Sequence, residues 1–233
     1  MGMLFLCWGL LYAIVVVCMH VVKHLDTENW NWTEKERGLV LVGSGINSVI
    51  IRWLSHDCLP KMEFLCLMTV LAGCLVFACV TDCQSCQVFA FTWWGAGAVG
   101  GILLFQSLAG EHGGMQLLTA ANSSRLASLF LYILLQESFF SRYYGRADCH
   151  AFVACAIAEC ALGMGMPEYL LHMTLAFGGL AMVQGFRGNI NSRGNLKQPV
   201  AFLPYITISF WVLLFLGKNV ILNQISETNL LGG

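Results

Sequence analysis

The sequence predicts an all-α polytopic membrane protein, a bundle of seven or eight transmembrane helices forming one membrane domain over residues 1–233. Three observations carry that prediction. Hydrophobic residues make up 58% of the chain and charged residues 11%, whereas soluble domains are about one quarter charged. The apolar residues fall in runs close to the roughly 20 needed to cross a bilayer, separated by short polar segments. The 233 residues accommodate about eight such spans with short loops and leave no room for a separate soluble domain.

Taken in order, Leu4–Val22 is the first span. No basic stretch or small-residue cleavage site accompanies it, so it is expected to remain as a helix rather than be removed as a signal peptide. Residues 23–38 are polar, with Lys23, Lys35 and Arg37 set against Asp26, Glu28, Glu34 and Glu36. The 39–54 run is apolar but short, interrupted by Gly43, Ser44, Gly45, Asn47 and Arg52; it reads either as a short span or as an interfacial helix. Met62–Thr81 spans and is closed by Asp82. Val88–Ala109 follows, then a loop beginning Gly110-Glu-His-Gly-Gly114. Leu126–Phe140, Asp148–Leu162, Pro167–Phe186 and Val200–Leu216 complete the spans, and the polar tail 217–233 is expected outside the bilayer.

Most of the eleven cysteines lie inside apolar runs, where cysteine behaves as a small buried hydrophobe. Cys83-Gln-Ser-Cys86 is a lone CxxC without the second pair a structural zinc site requires, so no metal is expected. Gly95-Ala-Gly97-Ala-Val-Gly100 matches a dinucleotide-binding pattern but sits in an apolar span with no preceding strand. Close helix packing, helped by Gly97 and Gly101, is the expected role. Gly163-Met-Gly165-Met166 reads as a turn between spans. The net charge of −1 gives no reason to expect nucleic acid as a partner; the surrounding partner is membrane lipid.

Basic loops tend to remain cytoplasmic. The 141–147 loop carries Arg142 and Arg146, and the 187–199 loop carries Arg187, Arg193 and Lys197. On the opposite side, 110–125 carries only Arg125 and 163–167 carries no basic residue, although Lys61 falls there too. Counting turns puts Asp82 and Asp148 on the same, cytoplasmic, side. Two adjacent carboxylates do not both ionise easily, so one can hold a proton while the other stays charged. Such a pair is equipped to activate water and protonate a leaving amine. The competing reading is that each acid is an interfacial anchor or helix cap.

Glu159 lies eleven residues after Asp148, about 20° from it around an ideal helix, and His172 falls at similar depth on the following antiparallel helix. A polar pair tying the two helices together is expected.

Val80-Thr-Asp82-Cys-Gln-Ser-Cys-Gln-Val88 resembles the first aspartate motif of the type IV prepilin peptidases. Gly145-Arg-Ala-Asp148-Cys-His150 resembles their GxGD motif, and Val200-Ala-Phe202-Leu-Pro204-Tyr205-Ile206 the element that opens their last span. The ordered set covers roughly residues 62–217. The departures are Ala147 in place of the second glycine, Phe89 and Ala90 where proline and asparagine are usual, Ala201 and Leu203 for proline and glycine, and His150 for a basic residue. The paired CxxC motifs of the larger members are absent.

The resemblance implies an aspartic endopeptidase of the bacterial or archaeal cytoplasmic membrane, cleaving the leader of prepilin-like precursors without a cofactor. Asp82 and Asp148 would be catalytic, with Gly145, Ala147 and His150 supporting the site. The substrate partner would carry a basic leader followed by an apolar helix. A non-catalytic scaffold that retains the peptidase fold is the alternative. A small transporter is a weaker one, because few polar residues line the spans.

Overall fold

The computed structural model describes residues 2–25, 33–57, 62–109, 120–190 and 200–231. These form eight α-helices and no strand among the described residues: α1 (Gly2–Leu25), α2 (Glu34–Asp57), α3 (Met62–Ser85), α4 (Ala90–Ala109), α5 (Ala120–Ser138), α6 (Arg146–Ala161), α7 (Met166–Ile190) and α8 (Leu203–Leu231). A 3₁₀ turn at Phe140–Arg142 leads from α5 towards α6. Lys61, Asp26, Glu28, Arg193, Lys197 and the Gly110–Gly114 loop, which entered the sequence argument about loops and sidedness, lie outside the described residues.

Among the described residues three helices are long and apolar enough to cross a membrane, over Leu4–His24, Leu65–Ser85 and Met166–Phe186, and Leu203–Gly217 is a shorter apolar stretch. At 16 residues, α6 extends only about 24 Å, short of a hydrocarbon core of about 30 Å. Several boundaries differ from the sequence reading, and two of them bear on the site and the tail. α3 continues past Asp82 to Ser85, which places that acid inside the last turn rather than after it. α8 runs on as helix to Leu231, through most of the segment expected as a polar tail.

The helix starts have local causes. Ahead of α2, Thr33 and Glu36 form a reciprocal capping box, with Thr33 N–H donating to Glu36 Oε2 (2.8 Å) and Glu36 N–H donating to Thr33 Oγ1 (3.4 Å). α6 ends in a Schellman turn: Met164 N–H donates to Glu159 O and Gly163 N–H to Cys160 O, both at 3.0 Å. Gly163 takes φ 89° there, a left-handed conformation that costs glycine nothing. The expected turn at Gly163–Met166 is therefore present.

Two helices are inner and the rest surround them. Among the described residues α3 and α6 expose no large apolar side chain, whereas α1, α2, α4, α5, α7 and α8 each do, for example Phe5, Val42, Phe105, Phe130, Phe186 and Phe215. In α3, 78% of the apolar window is buried, against 28% for α1 and 22% for α7, which makes α3 a core helix by itself. α3 is packed by α1, α2, α4 and α8, and α6 by α4, α5, α7 and α8. The shared neighbours α4 and α8 thus set how the two inner helices stand to one another. Outward apolar faces this extensive suit a hydrocarbon surround better than water.

Close approach of α4 to α6 depends on one glycine. A Cβ on Gly100 would lie 3.0 Å from Ile157 Cγ2 and 3.8 Å from the Ala154 carbonyl oxygen, whereas Gly97 and Gly101 have open space beside them. The packing role expected of this glycine-rich segment is real, but Gly100 performs it and not the Gly97/Gly101 pair. On the other flank, a Cβ on Gly73 would meet Ile14 Cγ2 at 2.9 Å, bringing α1 onto α3.

Candidate functional site

The two aspartates are carried by the two inner helices. Asp82 sits in the last turn of α3 and is 7% exposed. That is the negative end of its own helix dipole, an unfavourable place for an acid by about 0.3–1 kcal/mol. Its partners come from elsewhere. Leu203 N–H, at the start of α8, donates to Asp82 Oδ2 at 3.0 Å, and the Phe202 N–H also reaches the carboxylate. The first turn of a helix has N–H groups with no partner within the helix, and here they are aimed at a carboxylate on another helix. Pro204 follows immediately, where the missing N–H costs nothing.

α3 ends just beyond Asp82. Cys86 N–H donates to Asp82 O (2.9 Å) with Cys86 at φ 52°, a left-handed conformation unusual for a residue other than glycine. Phe89 and Phe91 then pack on Phe77 at ring separations of 6.3 and 5.6 Å. Phe89 and Phe91 thus tie the short turn back onto α3.

Asp148 sits in the first turn of α6, half-buried. Gly145 is the N-cap (φ −62°, ψ 146°); Asp148 N–H donates to Gly145 O (3.0 Å), and the Gly145 backbone N–H is a hydrogen-bond partner of the Asp148 carboxylate. This is the acid half of a capping box. A Cβ on Gly145 would lie 3.2 Å from Asp148 Oδ2, so glycine is used here for close approach and not for an unusual φ. Gly165 and Glu168 repeat the arrangement at the start of α7, where Gly165 N–H donates to Glu168 Oε2 at 2.9 Å. What separates Asp148 from that purely local pair is a second acid: Asp82 lies within electrostatic reach of it.

The supporting residues divide. Gly145 touches the Asp148 carboxylate. Ala147 is an ordinary helical residue in the first turn of α6, with no positive φ that would require glycine. His150 points away towards α5, where its Nε2 is 3.4 Å from Glu137 Oε1 and both side chains are nearly half exposed; it contributes no contact to the aspartates.

An aromatic cluster fixes the geometry. Phe202, just ahead of α8, packs on Phe177 (4.8 Å), Phe152 (6.0 Å) and Tyr144 (6.3 Å). Tyr144 belongs to the loop before α6, and its hydroxyl donates to the buried Gln136 Oε1 at 2.5 Å. The residue that delivers α8 to Asp82 is therefore locked to the loop and helix that deliver Asp148. Sequence reasoning did not single out Phe202, Tyr144 or the α8 N–H groups as parts of the site. The available signal was Pro204, which marks a helix start beside the motif already noted.

Deeper in the bundle, His172 Nδ1 lies 2.7 Å from Glu159 Oε1, with both side chains at 1% exposure or less, the contact expected from their helical phase. Among the described residues no group of three or more His, Cys, Asp or Glu is arranged to hold a metal ion. No protein-family model, curated protein or solved structure matches this chain.

Proposed function

We propose that this chain is a membrane aspartic endopeptidase that removes the leader of prepilin-like precursors at the cytoplasmic face of a bacterial or archaeal cytoplasmic membrane, in service of type IV pilus assembly or protein secretion. The observation that carries the reading is that Asp82 and Asp148, on two separate inner helices, lie within electrostatic reach of one another. The ordered motifs over residues 62–217 support it, as does the α8 start seated on the first acid. The helices are read as seven or eight spans of one bundle, α6 with its flanking loops included, and the arginines beside Asp148 favour the cytoplasmic side for the pair.

In this reading the pair shares one proton. The charged carboxylate takes a proton from water as its oxygen bonds to the scissile carbonyl carbon. The protonated partner then gives its proton to the leaving nitrogen as the C–N bond breaks, and the dyad ends with one proton as it began. No cofactor enters.

The Gly145–Asp148 cap favours a second reading, a non-catalytic scaffold in which Asp148 only starts a helix. The test is leader removal from a co-expressed prepilin, followed as a mobility shift in membranes with equal amounts of parent, Asp82→Asn and Asp148→Asn. Either substitution abolishes processing if the pair works as a unit, and the double variant adds little, because effects within one catalytic unit are not additive. Full processing by Asp148→Asn ends the peptidase reading and leaves the scaffold.

A further inference from the structure

Glu159 and His172 form the most buried ionisable pair among the described residues, and the cleavage chemistry makes no use of them. The pair has more contacts than helix-to-helix glue requires. His172 Nε2 lies 2.9 Å from the Ile206 carbonyl oxygen, which can only accept, so Nε2 carries a hydrogen and donates it. Nδ1 is then left facing the Glu159 oxygen at 2.7 Å. At that separation the two side chains are in direct contact, although neither Oε1 nor Nδ1 completes a well-aligned hydrogen bond. The oxygen sits off the axis of a linear hydrogen bond, and Glu159 Oε2 has no hydrogen-bond partner among the described residues. The better-formed bond of His172 is therefore the one to Ile206. Phe152 (5.3 Å) and Phe210 (6.1 Å) hold the ring on its flanks.

Ile206 is in the first turn of α8, three residues after the Leu203 whose N–H donates to Asp82. Its carbonyl also accepts from the Ser209 hydroxyl at 2.9 Å. The neighbouring Thr207 Oγ1 is 3.1 Å from Cys79 Sγ, one turn before Asp82 on α3. The same turn of α8 is thus tethered to α7 by His172 and seated on α3 at Cys79 and Asp82. We propose that His172, oriented by Glu159, is a positioning residue that holds the first turn of α8 against α3 and so keeps the Phe202 and Leu203 N–H groups on the Asp82 carboxylate. The inference deepens the peptidase reading and, for its effect on cleavage, rests on it.

The test compares two double variants in full-length protein. Glu159→Leu/His172→Leu removes the charge and the donor; Glu159→Leu/His172→Gln removes the charge but keeps an amide N–H able to reach Ile206. Replacing a buried ion pair by apolar groups is often neutral for stability, whereas breaking one partner alone is costly, so both doubles are expected in membranes at parental abundance. Two readouts follow. The first is cleavage of a co-expressed prepilin, with kcat and KM separated in detergent. The second, independent of activity, is oxidative cross-linking of native Cys79 to a cysteine placed by Thr207→Cys, detected by mass spectrometry.

The Gln double should retain parental cleavage and cross-linking. The Leu double should lose kcat on the order of 100-fold, the cost of a misplacement near 1 Å, with KM little changed, and should cross-link poorly. Equal kcat and equal cross-linking in the two doubles overturns the inference and leaves the pair as helix glue. If the parent does not cleave at all while the Leu double still loses the cross-link, the peptidase reading falls and the positioning of α8 by His172 stands.

Discussion

Substituting Gly145 by alanine isolates the geometry of Asp148 from its chemistry. The backbone at Gly145 (φ −62°, ψ 146°) is open to any residue, so no conformational strain is added. The new Cβ would lie 3.2 Å from Asp148 Oδ2 and 4.0 Å from its Cγ, and relief requires the carboxylate to shift by a few tenths of an ångström. For stability, exchanging glycine for alanine at an N-cap costs roughly 0.5–1.5 kcal/mol. The loss of unfolded-state freedom returns about 0.4–1 kcal/mol. The net is about 1 kcal/mol or less, a fall in Tm of roughly 2–4 °C at this chain length. For cleavage, if 1 Å of misplacement costs about 100-fold, a few tenths cost roughly 3- to 6-fold. The assay is a time course of leader removal by purified protein in detergent, alongside a thermal melt of the same sample. A variant that cleaves at the parental rate would refute the close approach of Gly145 to a working carboxylate. A melt lowered by tens of degrees would show that the glycine serves folding instead.

Other substitutions test the frame around the site. Gly100→Ala drives a Cβ to 3.0 Å of Ile157 Cγ2 and should destabilise by about 1–3 kcal/mol through overpacking, offset by up to about 1 kcal/mol of helix propensity. Adding Ile157→Leu, which removes that methyl branch, should recover most of the loss of Tm, whereas Gly97→Ala, with open space beside it, should cost nothing. Cys86→Gly relieves a left-handed residue at φ 52° and should raise stability by roughly 0.5–1 kcal/mol without loss of cleavage, read as a higher Tm and an unchanged time course.

The sequence was most legible where one helix decides the outcome by itself. The positions of the apolar runs, the turn at Gly163 and the shared phase of Asp148 and Glu159 all follow from helical geometry within one segment. Pairing Glu159 with His172 needed only the further assumption that consecutive helices run antiparallel. It was least legible where a neighbour decides. Gly97, Gly100 and Gly101 are equivalent in sequence, and only the placement of α6 beside α4 selects Gly100 as the contact. The capping box of Thr33 and Glu36 was visible in the sequence, but the apolar reading began the segment at residue 39 and passed over it. The hold of α8 on Asp82 joins residues 121 apart in sequence. Its donor is a backbone N–H, a group every residue but proline carries, so no side-chain pattern could have announced it.

Four acids of α3, α6 and α7 also differ in how their charge is met, and the difference bears on their roles. Glu159 faces the imidazole of His172 at 2.7 Å. Glu168 caps its own helix. Asp148 has its cap as well but also has a second carboxylate within electrostatic reach, and Asp82 lies at the unfavourable end of its own helix. Among the described residues neither aspartate is met by a cation. For a bundle surrounded by hydrocarbon, an acid without a counter-ion is expensive to retain. Burial alone would favour replacing both aspartates by apolar residues of similar size, since an unpaired charge gains nothing for the fold. The N–H groups of α8 lower that cost without cancelling the charge, and they leave a carboxylate within electrostatic reach of another. A structural role explains Glu159, Glu168 and half of Asp148. For Asp82 it supplies the tie between the end of α3 and the first turn of α8, but it does not call for a second carboxylate within electrostatic reach.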